Sequence, residues 1–213
     1  KEDTHWGDDF AAYINEGIAI AEGRLDELTK LNITMHLNDL TDEAIAQGRL
    51  TYVWGYPLLH SLIYQIVGFD RETFSLIPYM IPNITALCLT AFFMYLLCRR
   101  FGSVIPSFTA TLLFCLSNEM LNTAVRNMYS DCLFMFLTVL VFYMTELFCD
   151  ELKKEDKTKR LYVLSVLLGI LFWYIYETRL SGATVVICSG VITAWTVLKN
   201  PPSRNKLFPI ILP

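Results

Sequence analysis

Charge is scarce in this sequence: Asp, Glu, Lys and Arg make up only 18% of its 213 residues. Soluble domains carry about 25%. A clustered basic face, the usual footprint of a nucleic-acid binder, is also missing: the formal net charge is −4 and the pI is near 5.4. We therefore expect no nucleic-acid partner. No CxxC pair occurs, and all six cysteines (Cys88, Cys98, Cys115, Cys132, Cys149 and Cys188) sit within or beside apolar runs. They read as small membrane-core residues, not as a disulfide framework or a metal set. Lys1 to Asp9 lacks the architecture of a signal peptide, and no internal repeat or low-complexity tract is visible. What the sequence does have is apolar bulk, 54% hydrophobic and 14% aromatic. The solvent for such a chain is lipid.

A bilayer core about 30 Å thick takes roughly 20 apolar residues of helix. Five runs approach that length: 74–98, 104–121, 132–149, 161–176 and 180–198, with a further apolar run starting at 207. Residues 1–73 differ in kind, because charge is scattered through them and apolar residues recur at helical spacing. Phe10, Tyr13, Ile14, Gly17, Ile18 and Ala21 would share one face of a helix starting after Asp8 and Asp9. A second helix, Tyr56 to Val67, opens with Tyr56-Pro57 and is too short to span. Both are expected to lie on the membrane, with a loop and one short helix between them. The fold class expected is therefore all-α: a polytopic transmembrane bundle whose first extracytoplasmic loop, 1–73, carries interfacial helices and an acidic motif, followed by the transmembrane helices of 74–213. It reads as one integral domain truncated at both ends, a fragment of a larger chain.

Cytoplasmic loops carry the excess of Lys and Arg. With residues 1–73 outside, the inner loops hold Arg99, Arg100, Lys153, Lys154, Lys157, Lys159, Arg160, Lys199, Arg204 and Lys206, ten of the seventeen basic residues. That topology gathers Asp8, Asp9, Glu119, Arg126, Asp131, Glu177 and Arg179 on the outer side. Ionisable groups at a membrane boundary are costly unless paired or functional, which marks this level as a candidate polar site. Its residue types suit transfer of a phosphate-activated group: arginine holds a phosphate bidentately while a carboxylate acts as general base on an acceptor hydroxyl.

Each residue also has a plainer role open to it. Asp8 or Asp9 suits a helix cap, Arg126 and Asp131 a turn ion pair, Arg179 snorkelling to headgroups with Glu177 as its partner. Trp54, Tyr52 and Tyr56 read as an interfacial aromatic belt. No cofactor is expected; a divalent cation held by His5, His36 and His60 with Asp8 and Asp9 is chemically open, although their spacing does not support it.

Gly7-Asp8-Asp9-Phe10 with Tyr13, then Gly55-Tyr56-Pro57-Leu58-Leu59, then Leu116-Ser117 leading to Arg126 and Asp131, together resemble the C-type glycosyltransferases (GT-C fold) that use polyprenyl-phosphate sugars, in the branch of protein O-mannosyltransferases, aminoarabinose transferases and Rgt-like enzymes. The resemblance runs from Trp6 to about Trp195 on short, degenerate motifs whose order and spacing make it specific. It implies an integral membrane enzyme that transfers a sugar, with inversion, from a dolichyl- or undecaprenyl-phosphate donor to a lipid, glycan or protein acceptor outside the cytoplasm. Carried over by position, Asp8 is the candidate base and Asp9 the alternative. Asp131 matches the acid that starts a later span and Arg126 the basic residue before it; Arg179, in Glu177-Thr178-Arg179, stands where relatives carry a residue facing the donor phosphate. Val53-Trp54-Gly55-Tyr56-Pro57 departs from the paired prolines of many relatives, and the first span is lacking. The competing classes are a transporter or flippase component and a non-catalytic membrane partner. The expected location is a bacterial plasma membrane, with the endoplasmic reticulum as alternative.

Overall fold

The computed structural model describes residues 9–24, 53–68, 77–122, 129–154 and 158–199, and everything described is helix or short connection. Two helices precede the spans: α1 (Asp9–Glu22) and α2 (Gly55–Val67). Then follow α3 (Ile77–Phe101), α4 (Val104–Cys115), α5 (Asn118–Asn122), α6 (Asp131–Lys153), α7 (Thr158–Thr178) and α8 (Gly182–Lys199). Four of these, α3, α6, α7 and α8, are long and apolar enough to cross a membrane. They also leave large apolar side chains exposed, among them Phe92, Val163, Ile170, Trp173, Ile187 and Leu198. That much bare apolar surface on a water-soluble protein would drive association; in a bilayer it faces its own kind.

The second of the five expected spans, 104–121, is corrected. Helix α4 is 12 residues long and stops at Leu116 and Ser117 before the five-residue α5. At 1.5 Å per residue it covers about 18 Å, well short of the hydrocarbon core. The reason is local: Ser117 and Asn118 offer side-chain partners to the backbone in place of the helical ladder and break a run that hydropathy alone reads as continuous. The run 161–176, the shortest by hydropathy, is by contrast a 21-residue helix, because Thr158, Lys159 and Arg160 at one end and Glu177 and Thr178 at the other extend it into polar sequence.

Side-chain contacts set the topology. Asn83, near the start of α3, donates to the carbonyl of Tyr129 just before α6, at 3.2 Å. At the other end, Arg100 closes on Asp150, and Phe93 lies between Phe136 and Tyr143 along the way. Helices α3 and α6 are therefore parallel, so the chain returns between them, although among the described residues no helix between the two is long enough to span. Short links then make α7 antiparallel to α6 and α8 antiparallel to α7. Arg99 and Arg100 end α3, Lys153 ends α6 and Lys199 ends α8, each favourable at the negative pole of its helix. The bundle thus has one basic end, and α1 and α2 pack at the other.

Helices α1 and α2 pack against each other, while Leu62, Ile66 and Val67 of α2 stay exposed. Tyr13, Ile14, Gly17, Ile18 and Ala19 of α1 are buried, as are Tyr56, Pro57, His60 and Ser61 of α2. Gly17 allows this: a Cβ there would stand 2.7 Å from the His60 Cβ and 2.9 Å from the Pro57 carbonyl oxygen. Tyr13 and Tyr56 then join Leu133, Leu137, Val141, Ile175 and Val185 in one core that ties both helices to α6, α7 and α8.

Candidate functional site

Four helix ends meet opposite the basic end. Tyr13, one turn into α1, places its hydroxyl 3.3 Å from the Ser130 Oγ, immediately before α6. The first residue of α2, Gly55, lies so close to the end of α7 that a Cβ would approach the carbonyl of Glu177 and the amide nitrogen of Thr178 to 2.7 Å. Tyr174 of α7 strengthens this contact, its hydroxyl donating to the Gly55 carbonyl oxygen at 3.1 Å. The beginnings of α1, α2 and α6 and the end of α7 therefore form one polar rim.

Two of the charged residues expected there do come together. Arg179 pairs with Asp131, and its guanidinium sits 5.8 Å from the centre of the Phe134 ring. The partners are 48 residues apart in sequence. Both side chains are about 40% exposed, so the pair adds little to stability, ~0–1 kcal/mol. Its value is positional: one guanidinium nitrogen is engaged, on a fork that carries five N–H donors. Asp131, in the first turn of α6, also faces a helix N-terminus, where a negative charge is favoured. We expect Asp131→Asn to change thermal stability by less than ~1 kcal/mol, checked by melting in detergent.

The remaining expectations divide. Asp9 is the first residue of α1, which begins one residue earlier than expected. Glu177 contributes its backbone to the contact with Gly55, and its side chain is half-buried. Asp8, Arg126, His5, His36 and Tyr52 lie outside the described residues. Among the described residues, no three His, Cys, Asp or Glu side chains group as a metal set would. Tyr56 is corrected: it belongs to no aromatic belt, being fully buried, edge-on to Tyr13 at 4.8 Å between ring centres. Its hydroxyl donates to the Asn83 Oδ1 at 2.8 Å. Burial in this core drives the phenol pKa far above its ordinary value. Trp54 next to it is exposed.

Sequence reasoning missed the polar layer beneath the rim, made of Tyr13, Tyr56, Asn83 and Ser130 joined by the hydrogen bonds above. One signal existed: Asn83 follows Pro82 inside an otherwise apolar span, and an amide placed there needs partners. His60 was also missed as a core residue. Its ring sits between Tyr56, which it meets edge-on at 4.5 Å, and Tyr79, tilted at 5.6 Å, and neither ring nitrogen has a hydrogen-bond partner among the described residues. Burial lowers its pKa from 6.5 to about 3. The unfolded chain therefore takes up a proton first as the pH drops. Stability held above about 6.5 is lost toward 3, with a slope of up to ~1.4 kcal/mol per pH unit. Melting of the detergent-solubilised protein between pH 7 and 4.5 should show that loss, and His60→Leu should flatten it.

No family model, curated protein or solved structure matches this chain.

Proposed function

We propose that the protein is a membrane glycosyltransferase of the GT-C kind, moving a sugar from a polyprenyl-phosphate donor to an acceptor hydroxyl on the extracytoplasmic side, with inversion. The observation that carries the reading is the rim itself: a helix opened by an acidic motif, held through Tyr13 and Ser130 beside the Asp131–Arg179 pair at the mouth of a membrane bundle. An acid that can take a proton and a cation that can receive a phosphate thereby belong to one end of the fold.

In this reaction the acceptor oxygen attacks the anomeric carbon from the face opposite the donor phosphate as its proton passes to Asp8, or to Asp9 as the alternative base. The bond from that carbon to the phosphate oxygen breaks, and polyprenyl phosphate leaves with the bonding electrons. Arg179, aligned by Asp131, stabilises the negative charge on the departing phosphate, with Arg126 in the same role. A single displacement of this type inverts the anomeric centre. Glu177 helps seat the end of α7 against α2.

The test is transfer of radiolabel from polyprenyl-phosphate hexoses by membranes containing the full-length protein. Asp8→Asn and Asp9→Asn are compared with wild type, and removal of the true base should lower the rate by ~10²–10⁴. Arg179→Ala should lower it by ~10²–10³, the usual cost of one electrostatic donor to a developing anion. Asp131→Asn should reduce transfer while melting as wild type does. Full activity in all four variants would overturn the assignment and leave the rim a structural joint.

A further inference from the structure

A second feature runs along α8 toward the opposite, basic end. Helices α6, α7 and α8 enclose a groove of about 550 Å³ lined by Phe148, Leu168, Phe172, Val186, Gly190 and Val197. Gly190 keeps it open, since a Cβ there would meet nothing within 4 Å. Along α8 the lining runs from Val186 to Leu198, which is about 18 Å of helix and comparable to one leaflet of a hydrocarbon core about 30 Å thick. A helix of that length, about 10 Å across, would occupy on the order of 1,400 Å³, so the groove fits a single hydrocarbon chain far better than another span.

Its polar end is charged to match. The lining stops one residue short of Lys199, whose Nζ lies 4.7 Å over the Trp195 ring. At that end Arg99 and Arg100 close α3, Lys153 and Lys154 close α6, and Lys159 and Arg160 open α7. Asp150 pairs with Arg100 and Lys153, and Glu151 with Lys154 and Arg160. Glu146 lies about one turn deeper in α6, and residues 155–157 add Glu155, Asp156 and Lys157 to the sequence. Basic residues remain in excess after all five acids are counted, and Lys159 and Lys199 are exposed.

We propose that this groove is a binding site for an anionic phospholipid, with one acyl chain along α8 and the phosphate against Lys199 and the basic start of α7. Lipid electrostatics favour such a rim for anionic over zwitterionic headgroups. The inference does not rest on sugar transfer, and the headgroup end of the groove lies at the other end of the bundle from Asp131 and Arg179.

Trp195, exposed beside the groove, reports on it directly. In full-length protein carrying Trp6→Phe, Trp54→Phe and Trp173→Phe, Trp195 fluorescence is followed in phosphatidylcholine vesicles as brominated phosphatidylglycerol or brominated phosphatidylcholine is titrated in. The expected result is saturable quenching with a several-fold preference for the glycerol lipid, abolished by Lys199→Gln and reduced by Gly190→Leu, which fills the groove. Equal quenching by both lipids overturns the proposal, as does absence of quenching by either, which would mean that protein covers the groove. Native mass spectrometry of the protein with all its tryptophans tests the same point: a retained anionic lipid, lost in Lys199→Gln, supports the site, and no retained anionic lipid overturns it.

Discussion

Gly17→Val is expected to separate α1 from α2 and to be among the most damaging single substitutions in the protein. The added Cβ alone would stand 2.7 Å from the Cβ of His60 and 2.9 Å from both the Pro57 carbonyl oxygen and the Ser61 amide nitrogen. Two of those three atoms are backbone in a regular helix and cannot turn aside as a side-chain tip can. Relief requires the helices to move apart, and with them Tyr13, which is both a core residue and the link to Ser130. Overpacking of this kind costs ~1–3 kcal/mol and more where backbone must shift. The measurement is thermal melting together with limited proteolysis in detergent: a lower Tm with cleavage near α1 is expected, against unchanged behaviour for Gly190→Ala, where a Cβ has open space.

Tyr56→Ala is expected to match or exceed that effect. Tyr56 is fully buried where α1, α2, α6 and α7 meet, and truncating a large buried aromatic costs ~3–5 kcal/mol through lost burial and the cavity left behind. The same change strips Asn83 of its donor inside the bundle. Tyr56→Phe separates the two contributions: it keeps the ring contacts with Tyr13 and His60 and removes only the hydroxyl, for an expected ~1–3 kcal/mol from the acceptor left unsatisfied. Chemical unfolding of the three proteins in mixed micelles checks the order. Equal stability of Tyr56→Phe and Tyr56→Ala would show that the hydrogen bond, and not the packing, dominates.

If the rim performs sugar transfer, both substitutions also lower activity, without touching an acid or an arginine of the site. That would follow from the way the site is suspended: its charged groups occupy helix ends, and the residues that hold those ends together are Tyr13, Gly55, Tyr56, Asn83 and Tyr174. Rim groups misplaced by an ångström lose rate even when every chemical group is present.

The long apolar helices were legible because their cause is local. A run such as Cys132 to Cys149 has neither proline nor glycine, and a bilayer accepts it in only one regular form. The sequence by itself thus determined the lengths of α3, α6, α7 and α8 to within a few residues, the collection of Lys and Arg at their ends, and the two amphipathic helices before them. The break at Leu116 and Ser117 escaped because average hydropathy does not register how a serine and an asparagine compete for backbone hydrogen bonds. Tertiary structure alone decided the rest. Asp131 pairs with Arg179, 48 residues away. Tyr56, at a position that reads as interfacial, is core because Gly17 and Gly55 let two helices approach closely enough to cover it. Periodicity states which side of a helix is apolar; which neighbour covers it depends on packing among segments far apart in the chain, and no local pattern carries that information.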